Sequence, residues 1–111
     1  MKALDVVVVV NLKVGESKDR RPCVLVEFRG DSAVLLAPCS SQFDMYDPAL
    51  HFKFSDWQAD FAATGFLRSS YAVDDFVERP RDDVVKVIGH LEGEYADTFL
   101  DWAGLDPPSG G

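Results

Sequence analysis

Apolar residues from Leu4 to Val10 run almost unbroken and are largely β-branched, which is the pattern of a strand buried on both faces, in a barrel or beneath a partner subunit. Two further apolar runs, Cys23 to Phe28 and Ala33 to Ala37, flank Gly30-Asp31 and read as a hairpin. Neither run alternates cleanly with polar residues, so both faces of this hairpin are expected to be covered. Gly followed by Asp suits the central positions of a two-residue type II′ turn. That turn sets Arg29 against Ser32 and, carried along the ladder, Arg21 against Ser40. Between the first strand and the hairpin, Asn11 to Asp19 holds Gly15, Ser17 and alternating charges, and reads as a mobile loop.

Beyond the hairpin the pattern changes. Phe43 to Pro48 reads as a loop, and His51-Phe52-Lys53-Phe54 alternates with period two as a half-exposed fourth strand. Asp56 is placed to cap a short turn or helix through Phe61, ended by Thr64-Gly65. Ser69 to Val73 reads as a strand, continued by Phe76 to Glu78 before Pro80, and Asp82-Asp83 start a short helical turn leading to Ile88-Gly89. From Glu92 to Ala103, Tyr95, Phe99 and Trp102 recur at helical spacing with Leu100 beside them, and Gly104 stands where a helix stops. Strands first and a closing helix predict a mainly β (α+β) domain over residues 1–105. Its expected form is a small, strongly bent SH3-like barrel of about five to seven strands with a C-terminal amphipathic helix. Residues 106–111, rich in Pro, Ser and Gly, read as a disordered tail.

A length of 111 residues with 47% apolar content suffices for one domain with a real core. No run approaches the roughly 20 apolar residues that span a bilayer. The start, Met1-Lys2-Ala3-Leu4-Asp5, lacks the apolar segment of a secretory leader, so a cytosolic location is expected. Cys23 and Cys39 fall one residue out of register in the hairpin and read as small buried hydrophobes; two cysteines alone make no zinc site. The net charge of −8 opposes nucleic-acid binding, but it is unevenly spread. Residues 1–43 carry six Lys and Arg against five Asp and Glu, a balance of +1, whereas the remainder carries five against fourteen, a balance of −9. Any phosphate contact would be local and salt-sensitive.

The chemistry gathers at one end of the hairpin, where Arg20-Arg21-Pro22 enters the second strand and Pro38-Cys39-Ser40-Ser41-Gln42 leaves the third. Pro22 holds Arg21 extended. Either segment alone could be a solvated strand end, but a permanent guanidinium opposite a hydroxyl suits recognition or cleavage of a phosphodiester. Arg68, between Gly65-Phe66-Leu67 and Ser69-Ser70-Tyr71, is a second candidate cation; its ordinary reading is a surface arginine. His51 and His90 have no evident reason to meet, and Asp74, Asp75, Asp82 and Asp83 are spaced like turn and cap residues rather than a metal site. Neither a P-loop nor a GxGxxG occurs.

Taken in order, Asp5-Val6-Val7, Arg20-Arg21-Pro22, Ala37-Pro38-Cys39-Ser40-Ser41-Gln42, Thr64-Gly65-Phe66-Leu67-Arg68-Ser69-Ser70-Tyr71 and Ile88-Gly89-His90-Leu91 resemble the MazF/PemK-like toxins of bacterial type II toxin-antitoxin systems. The resemblance spans nearly the whole chain. It implies a homodimeric SH3-like barrel that cuts single-stranded RNA at short motifs without a metal or other cofactor, leaving 2′,3′-cyclic phosphate and 5′-OH ends, and that a cognate antitoxin silences. By position, Arg21 matches the catalytic arginine of that family and Ser40 its hydroxyl residue, usually threonine. Arg20, Ser41, Gln42, Arg68 and Ser70 are then expected at the substrate. Two departures stand out: Ser70 occupies the place of an acidic residue proposed as general base in some members, and Leu4-Asp5 replaces a usual Gly-Asp. A related alternative is a non-catalytic barrel toxin or partner-binding module that acts by occupying a protein target such as a topoisomerase.

Overall fold

The computed structural model describes residues 1–10, 20–40, 51–73 and 75–104, the side chain of His51 excepted. The expected loops at 11–19 and 43–48 and the tail at 106–111 lie outside these residues. Seven strands, β1 (Asp5–Val10), β2 (Arg20–Arg29), β3 (Ala33–Ser40), β4 (His51–Phe54), β5 (Ser70–Val73), β6 (Val77–Pro80) and β7 (Val84–His90), precede helix α1 (Glu94–Ala103). Short 3₁₀ segments occupy Ala59–Thr64 and Arg81–Asp83. All strand pairs are antiparallel, in the order β4-β5-β3-β2-β1-β7, with β6 also paired to β3. β3 makes the bend: Ala33–Leu36 pairs with β6, whereas Cys39 and Ser40 pair with β5. Pro38, which has no N–H to give, stands at this change of partner.

β1 is buried on both faces, as its composition predicts. Val6 enters the larger apolar cluster and Val7 and Val9 the smaller one, all three without exposed surface. The hairpin strands are covered likewise, Val24 facing the larger cluster and Cys23 and Leu25 the smaller. The larger cluster also receives α1. Phe99 packs on Phe52 with ring centroids 5.5 Å apart, and Tyr95 on Phe54 at 5.2 Å. The helix begins at Glu94 rather than Glu92 because Gly93 lies at φ 61°; Asp60 then supplies an Oδ2 that accepts from the Glu94 N–H at 3.3 Å.

Three local expectations are corrected. The hairpin loop has three residues rather than two, since Arg29 pairs with Ala33. After three pairs in this register, Val26 forms a β-bulge between Glu27↔Leu35 and Leu25↔Leu36, and Cys23 returns to Pro38. The bulge cancels the longer loop, so the expected register returns from Leu25↔Leu36 to Cys23↔Pro38, where the β2–β3 pairing ends. Secondly, Asp56 does not cap the 3₁₀ segment, whose preceding residue is Gln58; the Asp56 N–H instead donates to Ser69 Oγ at 2.8 Å. Thirdly, the helical turn after Pro80 stops at Asp83, and Val84 to His90 is a strand. Its β-branched residues cover the second edge of β1, which no other segment pairs among the described residues.

Candidate functional site

The ends of β2, β3 and β5, the middle of β7 and the segment after the 3₁₀ helix enclose a groove of about 660 Å³. Arg20, Arg21, Ser40, Arg68 and Ser70, five of the site residues chosen from sequence, all line it. Ser41 and Gln42 lie outside the described residues. Lys86 is a lining cation that the sequence reading missed. The signal was the β-branched pattern around it, which reads as a strand and sets Lys86 opposite Val8. No Asp, Glu or His is among the described lining residues, so in a chain of net charge −8 the groove is a local concentration of positive charge.

Arg21 is only 8% exposed. Its Nη1 donates to the Cys39 carbonyl oxygen at 3.3 Å, which ties the second strand's entry to the third strand's exit. Its Nε is buried and has no partner among the described residues. Ser40 is buried beside it, paired through the backbone with Tyr71. Ser70, also buried, donates its hydroxyl to the Arg68 carbonyl oxygen at 3.0 Å and so fixes the backbone from which Arg68 projects. In this arrangement Ser70 is occupied in holding a wall. Arg68 itself is exposed, and Leu67 beside it on the wall is 98% exposed.

Two glycines bring that wall against β7. A Cβ on Gly89 would lie 2.3 Å from the Ala63 carbonyl oxygen, and one on Gly65, which has φ 77°, would lie 2.2 Å from that of Ile88. Backbone therefore meets backbone, and the turn swings Phe66, Leu67 and Arg68 over the groove. Thr64 seals the corner, donating to the Phe61 carbonyl oxygen at 2.6 Å while its hydroxyl accepts from the Phe66 N–H at 3.2 Å.

The thiols are held in their protonated, weakly nucleophilic form. Cys23 and Cys39 are buried and free. Burial pushes the Cys23 thiol up to about 12, against the smaller opposing pull of Arg21, and also raises Cys39. Both stay protonated at neutral pH. Because Cys23 pairs with Pro38, the adjacent Cys39 belongs to the opposite face, and the two thiols sit in different clusters. Neither histidine is among the described lining residues: His51 heads β4 opposite Val73, and His90 ends β7, its Nε2 lying 3.0 Å from Glu92 Oε2.

A solved structure with a similar fold is the Mycobacterium tuberculosis toxin MazF-mt6, with a TM-score of 0.62 over 92% of this chain and 98% of that one, at 16% sequence identity. The fold is that of a MazF toxin. No family model matches the sequence, and no curated protein matches it. The MazF-like resemblance is thus carried by topology: seven antiparallel strands and a C-terminal helix. No helix among the described residues is long and apolar enough to cross a membrane.

Proposed function

We propose that this chain is a toxin that acts as a metal-independent endoribonuclease, cleaving single-stranded RNA at short sequence motifs. The observation that carries the reading is the buried Arg21, anchored on Cys39 and adjoined by Ser40, at a groove lined by four cations and no described carboxylate. The MazF-like fold supports it. A divalent ion would meet repulsion there instead of the oxygen ligands it needs, whereas a phosphodiester meets its complement.

The reaction is a transesterification within the substrate. The 2′-oxygen bonds to the adjacent phosphorus, the bond from phosphorus to the 5′-oxygen breaks, and the 2′-hydroxyl proton ends on the departing 5′-oxygen. The products are a 2′,3′-cyclic phosphate and a 5′-OH. Arg21 holds its charge against the non-bridging oxygens, where negative charge grows in the transition state, and Ser40 donates a hydrogen bond to the same centre. A guanidinium with a pKa above about 12 is suited to this electrostatic role and poorly suited to carrying the proton. Arg20 and Arg68 bind flanking parts of the strand, and Ser41 and Gln42, next to Ser40 in sequence, are further substrate contacts of this reading.

The same groove is the docking place for a cognate antitoxin, a segment with acidic and apolar residues that adds hydrophobic burial to its charge contacts and thereby outcompetes RNA. The active form is a cytoplasmic homodimer. Incubating the purified protein with mixed RNA in EDTA and mapping the ends tests the proposal: cyclic phosphate and 5′-OH termini at a recurrent short motif are expected. Intact RNA, with toxicity that survives loss of Arg21 and Ser40, would instead identify a barrel that acts by occupying a protein target.

A further inference from the structure

We infer that Lys86 forms a second phosphate subsite, holding the backbone phosphate next to the one at Arg21. The inference rests on the reading of the groove as an RNA site and adds to it a residue and a minimum substrate length. Lys86 lies on β7 in one cross-strand row with Val8 and Pro22. Neighbouring strands stand about 4.8 Å apart, so the Lys86 backbone is roughly 10 Å from that of Pro22, the residue after Arg21. The two cations differ in setting. Both line the groove, but Arg21 is buried with its guanidinium tied to Cys39, whereas Lys86 is exposed.

Among the described residues Lys86 has no ion-pair partner, and neither do Arg20 and Arg68. Arg29, outside the groove, is by contrast paired with Glu27 at 2.8 Å. In a chain with 19 carboxylates, cations of one groove that no described carboxylate neutralises are kept for a ligand that brings its own charge. A phosphate seated on the fixed guanidinium leaves the rim ammonium, on its flexible stem, to the neighbouring phosphate of the same strand. Lys86 therefore contributes to binding and to the length of strand engaged, and Arg21 to the reacting centre.

The probe is a 2′-O-methyl RNA hexanucleotide, which lacks the attacking hydroxyl, titrated by fluorescence anisotropy across a salt series. Lys86→Gln should lower the slope of log affinity against log salt by about 0.7, the release expected for one single-strand phosphate. Lys53→Gln, an equal change of charge at a residue that does not line the groove, should leave the slope unchanged. A 2′-O-methyl dinucleotide with a single phosphate, measured by competition, should bind wild type and Lys86→Gln alike. The proposal is overturned by an unchanged slope in Lys86→Gln, by an equal fall in Lys53→Gln, by loss of dinucleotide affinity, or by failure of wild type to bind the hexanucleotide. Hexanucleotide binding that follows Lys86 in a protein that leaves ordinary RNA uncut would keep the subsite and remove the endoribonuclease reading.

Discussion

At the scale of single residues, Arg21 and Leu4 make the sharpest predictions. Arg21 is buried at a strand entrance rather than in either apolar cluster, so Arg21→Ala should leave the fold intact while removing a preorganised donor. Such a loss costs about 2.7–4 kcal/mol, or roughly 100- to 1000-fold in cleavage rate. Ser40→Thr keeps the hydroxyl and should retain activity, whereas Ser40→Ala should slow it; equal rates for the two would reduce Ser40 to packing. Leu4 is the one described non-glycine residue with positive φ, at 70°. There its N–H donates to the Leu25 carbonyl oxygen at 2.7 Å and its carbonyl accepts from the Leu91 N–H at 2.9 Å, with the side chain in the core. The left-handed conformation costs an L residue roughly 1–2 kcal/mol, while truncating a buried Leu costs about 2–5. Both Leu4→Ala and Leu4→Gly should therefore destabilise, but Gly should do so by about 1 kcal/mol less, because it alone relieves the backbone. Denaturant melts decide this; a glycine variant weaker than the alanine one would deny the strain. The glycine that the family resemblance expects at this position now has a physical reason.

Among elements, the packing of Ala59–Thr64 on β7 controls the groove. Gly89→Ala would drive a methyl group into the Ala63 carbonyl, a contact with backbone that no rotamer relieves. Overpacking of this kind costs about 1–3 kcal/mol. RNA cleavage should fall together with stability as the Arg68 wall lifts from β7; full activity in Gly89→Ala would separate the wall from the site. The hairpin gives the lesson about legibility at this scale. Its apolar runs and its Gly-Asp were visible in the sequence, and the pairs from Leu25↔Leu36 to Cys23↔Pro38 fall in the expected register, yet the three-residue loop and the Val26 bulge were not visible. A bulge leaves no residue signature when the extra position, here Val26, is itself buried and apolar. β7 was misread for another reason: Asp82-Asp83 looks like a helix start and masks the β-branched run after it, which pairs with the second edge of β1.

For the molecule as a whole, stability should decline on the alkaline side. The Cys23 thiol, ordinarily near 9.0, is held up to about 12 by burial, so between these values the unfolded chain has lost a proton that the folded chain keeps. Unfolding is favoured as pH rises through this window, with Cys39 acting in the same direction. Urea melts at pH 8 and pH 10.5 should show the fall, and Cys23→Ala should make it shallower; an identical slope would place the titration elsewhere. The apolar runs of β1 and the hairpin fit burial beneath a partner subunit as well as in a barrel, and the chain covers them itself. Among the exposed apolar residues, Val85 and Val87 stand together on β7, each 46% exposed, with Met1 lining the same shallow hollow. Light scattering at micromolar concentration should give a dimer, and Val85→Asp a monomer; a monomeric wild type would refute it. By itself the sequence determined what depends on local order: the strand-rich body, the closing helix with its αL glycine, the buried thiols, and the place of Arg21 and Ser40 at one end of the hairpin. Only the tertiary structure decided what depends on distant segments meeting: that Gly65 and Gly89 let two backbones touch, that Asp60 serves the start of a helix 34 residues away, and that Lys86 joins three arginines. Spacing along a chain fixes which face a residue takes within its own element. Which faces meet follows from burying them together, and that no short pattern encodes.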